Sequence, residues 1–411
     1  MREVVVTGLG AVSPVGLDIA ETWRAVLAGE SGIGPITRFD PTGFDTRFAG
    51  EVKAFDPLDY MDRKLAHRSD RFTQFAVVAA LQAVQDAQLT VNQENRDRVG
   101  VLIGSGIGGL ESLSTAVTTL NARGPQRVSP LAVPMFIPDM ASGQVSILLG
   151  AYGPNFATVS ACSSSAHAIG EAAEMIRRGQ ADVMVAGGSE APVVGVAVAA
   201  FNSMHALSVR NDCPATASRP FDATRDGFVI AEGAAVLILE SAEWAARRGA
   251  RVLARLAGYG STADAYHITA PAVRGRGAAQ AMRMAMEQAR IAPQDVQYIN
   301  AHGTGTDQND KAETEAMKDV FGEHARRLAI SSTKSMTGHS LGAAGAMESA
   351  FCILAMRDGI LPPTMHLHQP DADCDLDYIP NEARRRAVSI TMSNSFGFGG
   401  HNVSLLFATS D

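Results

Sequence analysis

The sequence predicts an α/β protein built from two similar halves packed back to back. Two observations carry this. A strand leading into a Gly-rich loop, then a strand, a turn and a helix, runs across 99–179 and recurs across 298–356. Gly and other small residues are abundant while aromatics make up only 6 %, which suits helices packed closely on sheets. The 411 residues suffice for two or three average domains, or for two halves sharing one large core. The halves are taken as 1–250 and 251–411.

In chain order, Glu3–Thr7 reads as a short buried strand turning at Gly8-Leu9-Gly10, and Ala20–Ala28 as a helix. Residues 30–60 are rich in Gly, Pro, Asp and Phe and read as loop. Asp62–Arg71 carries Arg63, Lys64, His67, Arg68 and Arg71, with Lys64/Arg68 and His67/Arg71 sharing helix faces. Phe72–Ala87 is a small-residue helix. Val99–Ile103 is a strand, and Gly104-Ser-Gly106-Ile-Gly-Gly109 after it fits G-x-G-x-x-G. A nicotinamide site would also want an acidic residue about 20 positions on. No Asp or Glu lies between Glu111 and Asp139, so the glycines are read as letting backbone pass close to the core.

Phe156–Val159 is a strand, and Ala166, Ile169, Ala173 and Ile176 recur at helical spacing up to a stop at Gly179. Ala181–Ala186 is a strand. Ser218–Glu232 is dense in charge and reads as an ion-pair network fixing a loop. Ala234–Leu239 is a buried strand and Ala242–Arg248 a basic-ended helix. Strand 252–259 and helix 277–290 open the second half. Strands Tyr298–Ala301 and Ala329–Thr333, a turn and helix within Met336–Met356, and a last long strand Arg386–Asn394 follow.

A net charge of −8 argues against a general nucleic-acid binder. Four cysteines at irregular spacing fit neither a disulfide framework nor a zinc site, and point to a reducing, cytoplasmic setting. The N-terminus leads straight into a strand with no signal-peptide core. The longest apolar run, Val185–Phe201, is interrupted by Ser189 and Glu190 and cannot span a bilayer.

Cys162 falls on the turn between a strand and a helix whose start Ser163, Ser164 and Ser165 can cap. Unpaired helix N–H groups there favour thiolate. In the second half, His302 in Asn300-Ala-His-Gly-Thr-Gly-Thr306 and His339 in Thr333-Lys334-Ser-Met-Thr-Gly-His-Ser each follow a strand end and stand beside glycine. The third stretch is Asn394-Ser-Phe-Gly-Phe398-Gly-Gly-His401-Asn402. One exposed histidine is usually structural; a cysteine at a helix start with two such histidines and a Gly-rich loop reads as a covalent-catalytic site.

These four ordered motifs, with Arg219-Pro-Phe-Asp-Ala-Thr-Arg-Asp-Gly-Phe228, resemble the β-ketoacyl-[acyl-carrier-protein] synthases over essentially the whole chain. The elongating I/II type is the nearest, synthase II in particular. The resemblance implies a thiolase fold: duplicated halves in an αβαβα five-layered core, assembled as a homodimer. It implies an acyltransferase in which Cys162 takes an acyl chain from acyl carrier protein. His302 and His339 would stabilise the enolate formed when malonyl-[acyl-carrier-protein] loses carbon dioxide. Backbone N–H groups of Cys162 and Phe398 would form the oxyanion hole, with Phe398 also gating entry. Lys334, tied to Glu348, would set the field around His339. Thr304 and Thr306 would bind the pantetheine arm and Ile107 would gate the acyl pocket. Arg63, Lys64 and Arg68 would meet the acidic carrier protein. No metal and no cofactor is implied beyond the phosphopantetheine that arrives on the carrier.

His205 and His401 depart from the family, which often has Arg and Thr there. A thiolase would need a second cysteine in the loop that carries Phe398 here. The initiating synthases place Asn where His339 stands, and chain-length factors lack the nucleophile. A ketosynthase of a type II polyketide system would share every motif and stands as the alternative.

Overall fold

Ten strands share the main sheet of the computed structural model, which describes residues 2–410. They are β1 (Val4–Val12), β2 (Val99–Gly104), β3 (Asn155–Phe156), β4 (Val183–Glu190), β5 (Gly233–Ser241), β6 (Ala254–Ala263), β7 (Tyr298–Asn300), β8 (Ala329–Ser331), β9 (Ile390–Gly397) and β10 (His401–Ala408). In space the first five lie in the order β3-β2-β4-β5-β1 and the last five in the order β8-β7-β9-β10-β6. Each half therefore repeats one strand order. The pairings repeat too: two antiparallel ladders from the first strand, then two parallel ones to the edge. A ladder of only Val5↔Arg255 and Val6↔Ala254 joins β1 to β6.

Five helices place the site: α1 (Arg71–Asp86), α2 (Ser164–Arg177), α3 (Arg276–Ala289), α4 (Asp307–Phe321) and α5 (Ala344–Asp358). Helices α2 and α5 form the middle layer. Ile169, Ala173, Ala346, Ala350 and Phe351 share one core with inward residues of both five-stranded units. Small residues allow that closeness: a Cβ on Gly345 of α5 would stand 2.9 Å from the Cβ of Ala166 on α2. The outer faces carry α1 on one side and α3 with α4 on the other, each over its own apolar cluster. Helix, sheet, helix, sheet, helix is the five-layered arrangement expected.

The structure corrects several local readings. Gly8 and Gly10 are not a turn. β1 runs straight through them to Val12, every residue buried, and a Cβ there would strike the carbonyls of Ala83 and Ala79 in α1 at 2.3 and 2.1 Å. Gly258 and Gly260 of β6 stand in the same relation to Ala285 and Ala281 of α3, at 2.0 Å each. Both first strands are thus stripped of side chains where an outer helix lies on them. The strand expected over Phe156–Val159 keeps only Asn155–Phe156. The strand placed over Arg386–Asn394 begins at Ile390 and runs to Gly397, and β10 follows it as the far side of a hairpin. Asp62–Arg71 is a short helix, Arg63–Arg68, and Arg71 opens the next one. Among the described residues no helix is long and apolar enough to cross a membrane.

Candidate active site

Cys162 lies in a tight turn, Ala161–Ser163, between the end of the β3 segment and α2. Ala161 adopts φ 50°, left-handed for a residue with a side chain. Leu341 has φ 44° at the corresponding place before α5. The three serines do not cap α2 as expected: Ser163 and Ser165 bond to the other half, and Ser164 bonds back to the turn before the helix. Ser163 Oγ donates to the carbonyls of Ser395 and His401 at 3.0 and 2.8 Å. Ser165 Oγ accepts from the Ala346 amide at 3.0 Å, and Ser164 Oγ donates to Ala161 O at 2.7 Å. The Cys162 turn is therefore pinned to β9, β10 and α5.

His302 follows β7. Its amide and that of Gly303 donate to opposite oxygens of buried Glu313 at 2.8 Å each. His339 is fixed by its own backbone, its amide donating to Val229 O at 2.7 Å. The two rings meet edge to face, centroids 5.3 Å apart at 84°. Phe396 stands against the first ring and Phe228 against the second. Cys162 Sγ and one ring nitrogen from each histidine lie within 4.8 Å of one another, all three residues buried. Lys334 Nζ donates to His302 O at 2.6 Å and pairs with Glu348. The site is thus assembled across the middle layer, with the thiol from one half and both imidazoles from the other.

Electrostatics sort these groups. Burial and then the Lys334 charge hold both imidazoles well below their ordinary range, so both rings are neutral. Burial pushes the Cys162 thiol up to about 12, against the pull of Lys334 and of the Phe398 and Cys162 amides. Burial thus works against the thiolate that the helix terminus favours. Burial also lifts Glu348 and Glu313 to about 7. The donor set could ligate a soft cation. The Lys334 ammonium opposes positive charge there, and neither buried Nδ1 has the hydrogen-bond partner that supports a metal-bound histidine.

A cavity of about 580 Å³ opens onto the three groups, lined by Ile107, Thr304, Thr306, Phe398 and Leu341 among others. The Thr304 and Thr306 hydroxyls are 3.0 Å apart. Half-buried Phe398 sits in the hairpin loop between β9 and β10. Two chain segments match family models, Beta-ketoacyl synthase, N-terminal domain, over residues 1–245 and Beta-ketoacyl synthase, C-terminal domain, over residues 253–368.

The chain belongs to the beta-ketoacyl synthase family.

Among related synthases, the 3-oxoacyl-[acyl-carrier-protein] synthase 2 of Staphylococcus aureus (strain COL) is 53 % identical over 406 residues, 99 % of this chain and 98 % of that one. The protein of the same name from Synechocystis sp. is 51 % identical over the same shares of each chain. A beta-ketoacyl synthase from Burkholderia phymatum STM815 superposes with a TM-score of 0.93 at 38 % identity over all of both chains. The ketosynthase of AntDE:AntF, a type II PKS acyl-carrier protein complex, does so at 0.92 and 37 %.

The remaining residues read from sequence fall in distinct places. Arg63, Lys64 and Arg68 are exposed on one short helix outside the cavity lining. Exposed His205, with φ 53°, lines the cavity, and His401 opens β10 with its ring 6.3 Å from that of His167. In the charged stretch Ser218–Glu232, buried Arg225 pairs with Asp307, Asp310 and Asp371, and Glu232 pairs with Arg71. That removes Arg71 from the exposed basic group. Gly104, which ends β2, serves close approach: a Cβ there would lie 2.5 Å from the Ser164 carbonyl. Sequence reasoning missed Glu313 and Glu190, both buried carboxylates receiving backbone N–H groups beside the site.

Proposed function

We propose that this protein is the condensing acyltransferase of fatty-acid elongation, joining an acyl group on acyl carrier protein to malonyl-[acyl-carrier-protein] with release of carbon dioxide. The observation that carries the reading is one buried thiol within 4.8 Å of a ring nitrogen from each of two buried imidazoles, all three opening onto a cavity of about 580 Å³.

The Cys162 sulfur attacks the acyl thioester while its proton passes to a neutral imidazole, so no free thiolate has to exist in the resting protein. The amides of Cys162 and Phe398 receive the oxygen on which charge develops. The carrier thiol leaves and recovers that proton. Malonyl thioester then enters along Thr304 and Thr306. Breaking its carbon–carboxylate bond leaves the electron pair as an enolate, whose oxygen accepts from N–H donors of His302 and His339. Decarboxylation supplies the carbanion, so neutral rings suffice and no strong base is required. The carbanion attacks the acyl–Cys162 carbonyl, yields the 3-oxoacyl thioester and returns the sulfur to be protonated. Lys334, held by Glu348, keeps both rings neutral at rest, so a proton taken from the thiol is readily handed on to the departing carrier thiol.

Arg63, Lys64 and Arg68 offer the carrier protein a basic landing on an otherwise acidic chain. A second copy covers the edge strand β3. Both of its residues are exposed, and Ile147, Tyr152 and Val159, close to it in sequence, leave apolar surface there. The chain divides near residue 250, supported by the repeated strand order and by the two family segments. Four free thiols accord with a cytoplasmic location. A polyketide ketosynthase is less favoured, because the relatives at 53 % and 51 % identity are named 3-oxoacyl-[acyl-carrier-protein] synthase 2 while the polyketide neighbour stands at 37 %.

The test is incubation with acyl- and malonyl-carrier protein, following adducts and products by mass spectrometry for wild type and Cys162→Ala. A 3-oxoacyl product and a Cys162 adduct, both lost in the variant, are expected. No adduct with any acyl chain would overturn the reading.

A further inference from the structure

The mechanism leaves two carboxylates beside the site unused, Glu313 under the His302 backbone and Glu190. Glu190 ends β4 and is 0 % exposed. Its Oε1 accepts from Ser105 Oγ at 2.7 Å and from the Ile107 amide at 3.1 Å. Its Oε2 accepts from the amides of Gly106 at 2.6 Å and Gly342 at 2.9 Å. All four donors are neutral. Ser105 Oγ in turn accepts from the Gly108 amide at 2.9 Å. One anion therefore gathers the whole turn after β2 and ties it to the residues that open α5.

The other half shows what that place does without a carboxylate. β9 ends in Gly397 where β4 ends in Glu190. A Cβ on Gly397 would lie 3.1 Å from the Cys162 amide, so glycine there keeps that amide open to substrate. The Gly342 amide, in the corresponding turn before α5, is filled by Glu190 instead. A Cβ on Gly342 or Gly106 would come within 2.4 or 2.9 Å of Glu190 Oε2, so both backbones are fitted around the carboxylate.

Ile107, whose own amide is bonded, and Leu341, next to the bonded Gly342 amide, both line the cavity with Cys162. Beyond them Val193, Ala197 and Val198 pack in the same apolar cluster without lining the cavity. An acyl chain growing from Cys162 in that direction has to move Ile107, and moving its backbone breaks the amide bond to Glu190.

We propose that Glu190 is a positioning residue that clamps the Ile107 turn to the start of α5 and thereby sets which acyl lengths Cys162 accepts. The inference rests on the condensing reading above. It differs from gating by Ile107 itself, because it places the control in a carboxylate that no substrate touches.

Glu190→Gln keeps the volume and turns one acceptor oxygen into a donor. The remaining oxygen satisfies Gly106 and Gly342, the new NH₂ group meets the Ser105 hydroxyl, and the Ile107 amide loses its acceptor. The measurement is the rate of Cys162 acylation from short- and long-chain acyl carrier protein, in wild type, Glu190→Gln, Ile107→Ala and the double variant. Expected is a rise of about tenfold in the long-to-short rate ratio for Glu190→Gln, with no further rise when it is added to Ile107→Ala. An unchanged or lowered ratio, or additive effects in the cycle, overturns the proposal. Should Glu190→Gln fail to fold, Ser105→Ala removes one donor from the carboxylate and must raise the ratio in the same direction. Wild type that acylates with no chain length would refute the condensing reading itself; wild type that acylates, with no skew in the variants, refutes only the role of Glu190.

Discussion

The Lys334 ammonium and the Glu348 carboxylate form a pair that is almost wholly buried, 1 % and 2 % exposed, and the same ammonium holds the carbonyl of His302. Pairing keeps a positive charge inside the protein that would otherwise be expelled, and that charge bears on both imidazoles. Lys334→Met strands Glu348 in a dry site and should cost about 3–5 kcal/mol of stability in denaturant titration. Adding Glu348→Gln should recover part of that loss without restoring condensation. Equal stability of the single and double variants would mean that the pair is not coupled.

His339 makes stability depend on pH. Burial holds its proton affinity well below the ordinary value of 6.5, so the unfolded chain takes up a proton that the folded chain refuses. The contribution of the neutral ring is therefore complete above 6.5 and is lost as pH falls below it. The stability difference between wild type and His339→Asn should shrink toward acid by up to about 1.4 kcal/mol per pH unit. A difference that stays constant through that range would show a ring with ordinary proton affinity.

Cys162 should behave as a thiol in the empty protein. With burial pushing it up to about 12, the rate of alkylation by iodoacetamide should climb about tenfold per pH unit through the neutral and mildly alkaline range without levelling. Lys334→Met should slow it further, since that charge favours the thiolate. A plateau near neutral pH would reveal a standing thiolate and return the helix terminus to first place.

Carrier docking should be separable from chemistry. Reversing charge at Lys64 and Arg68, both exposed and outside the cavity lining, should raise KM for acyl-carrier protein about tenfold with kcat unchanged. The effect should fade as salt is added. A fall in kcat at unchanged KM would place these side chains elsewhere in the cycle.

How much of this was readable from the chain alone varies with how local each signal is. Cys162, His302 and His339 each stand beside small residues, and the structure brings all three together, although the helix Lys334–Thr337 separates His339 from the end of β8. The Lys334–Glu348 pair was also expected, as an implication of the family resemblance, and the two side chains do pair. The state of the Cys162 thiol was not readable, because burial is summed over elements from both halves while the helix terminus is visible locally. Glu190 appeared only as a break in an apolar run; its partner Gly342 is 152 positions away. Gly8 and Gly10 look like a turn in isolation, and only the carbonyls of α1 explain them. The strand β10 was overlooked because Gly399 and Gly400 ahead of it were absorbed into the Gly-rich loop of the site.

The repeated strand order has a practical consequence. Only two residue pairs join β1 to β6, whereas the clustered groups are divided, the Cys162 thiol on one side and the His302 and His339 imidazoles on the other. Polypeptides 1–250 and 251–411, made separately, would each be inert, and turnover would return only when they bind one another. Such complementation would turn the condensing reaction into a reporter of how tightly the two sheets associate across the middle helices.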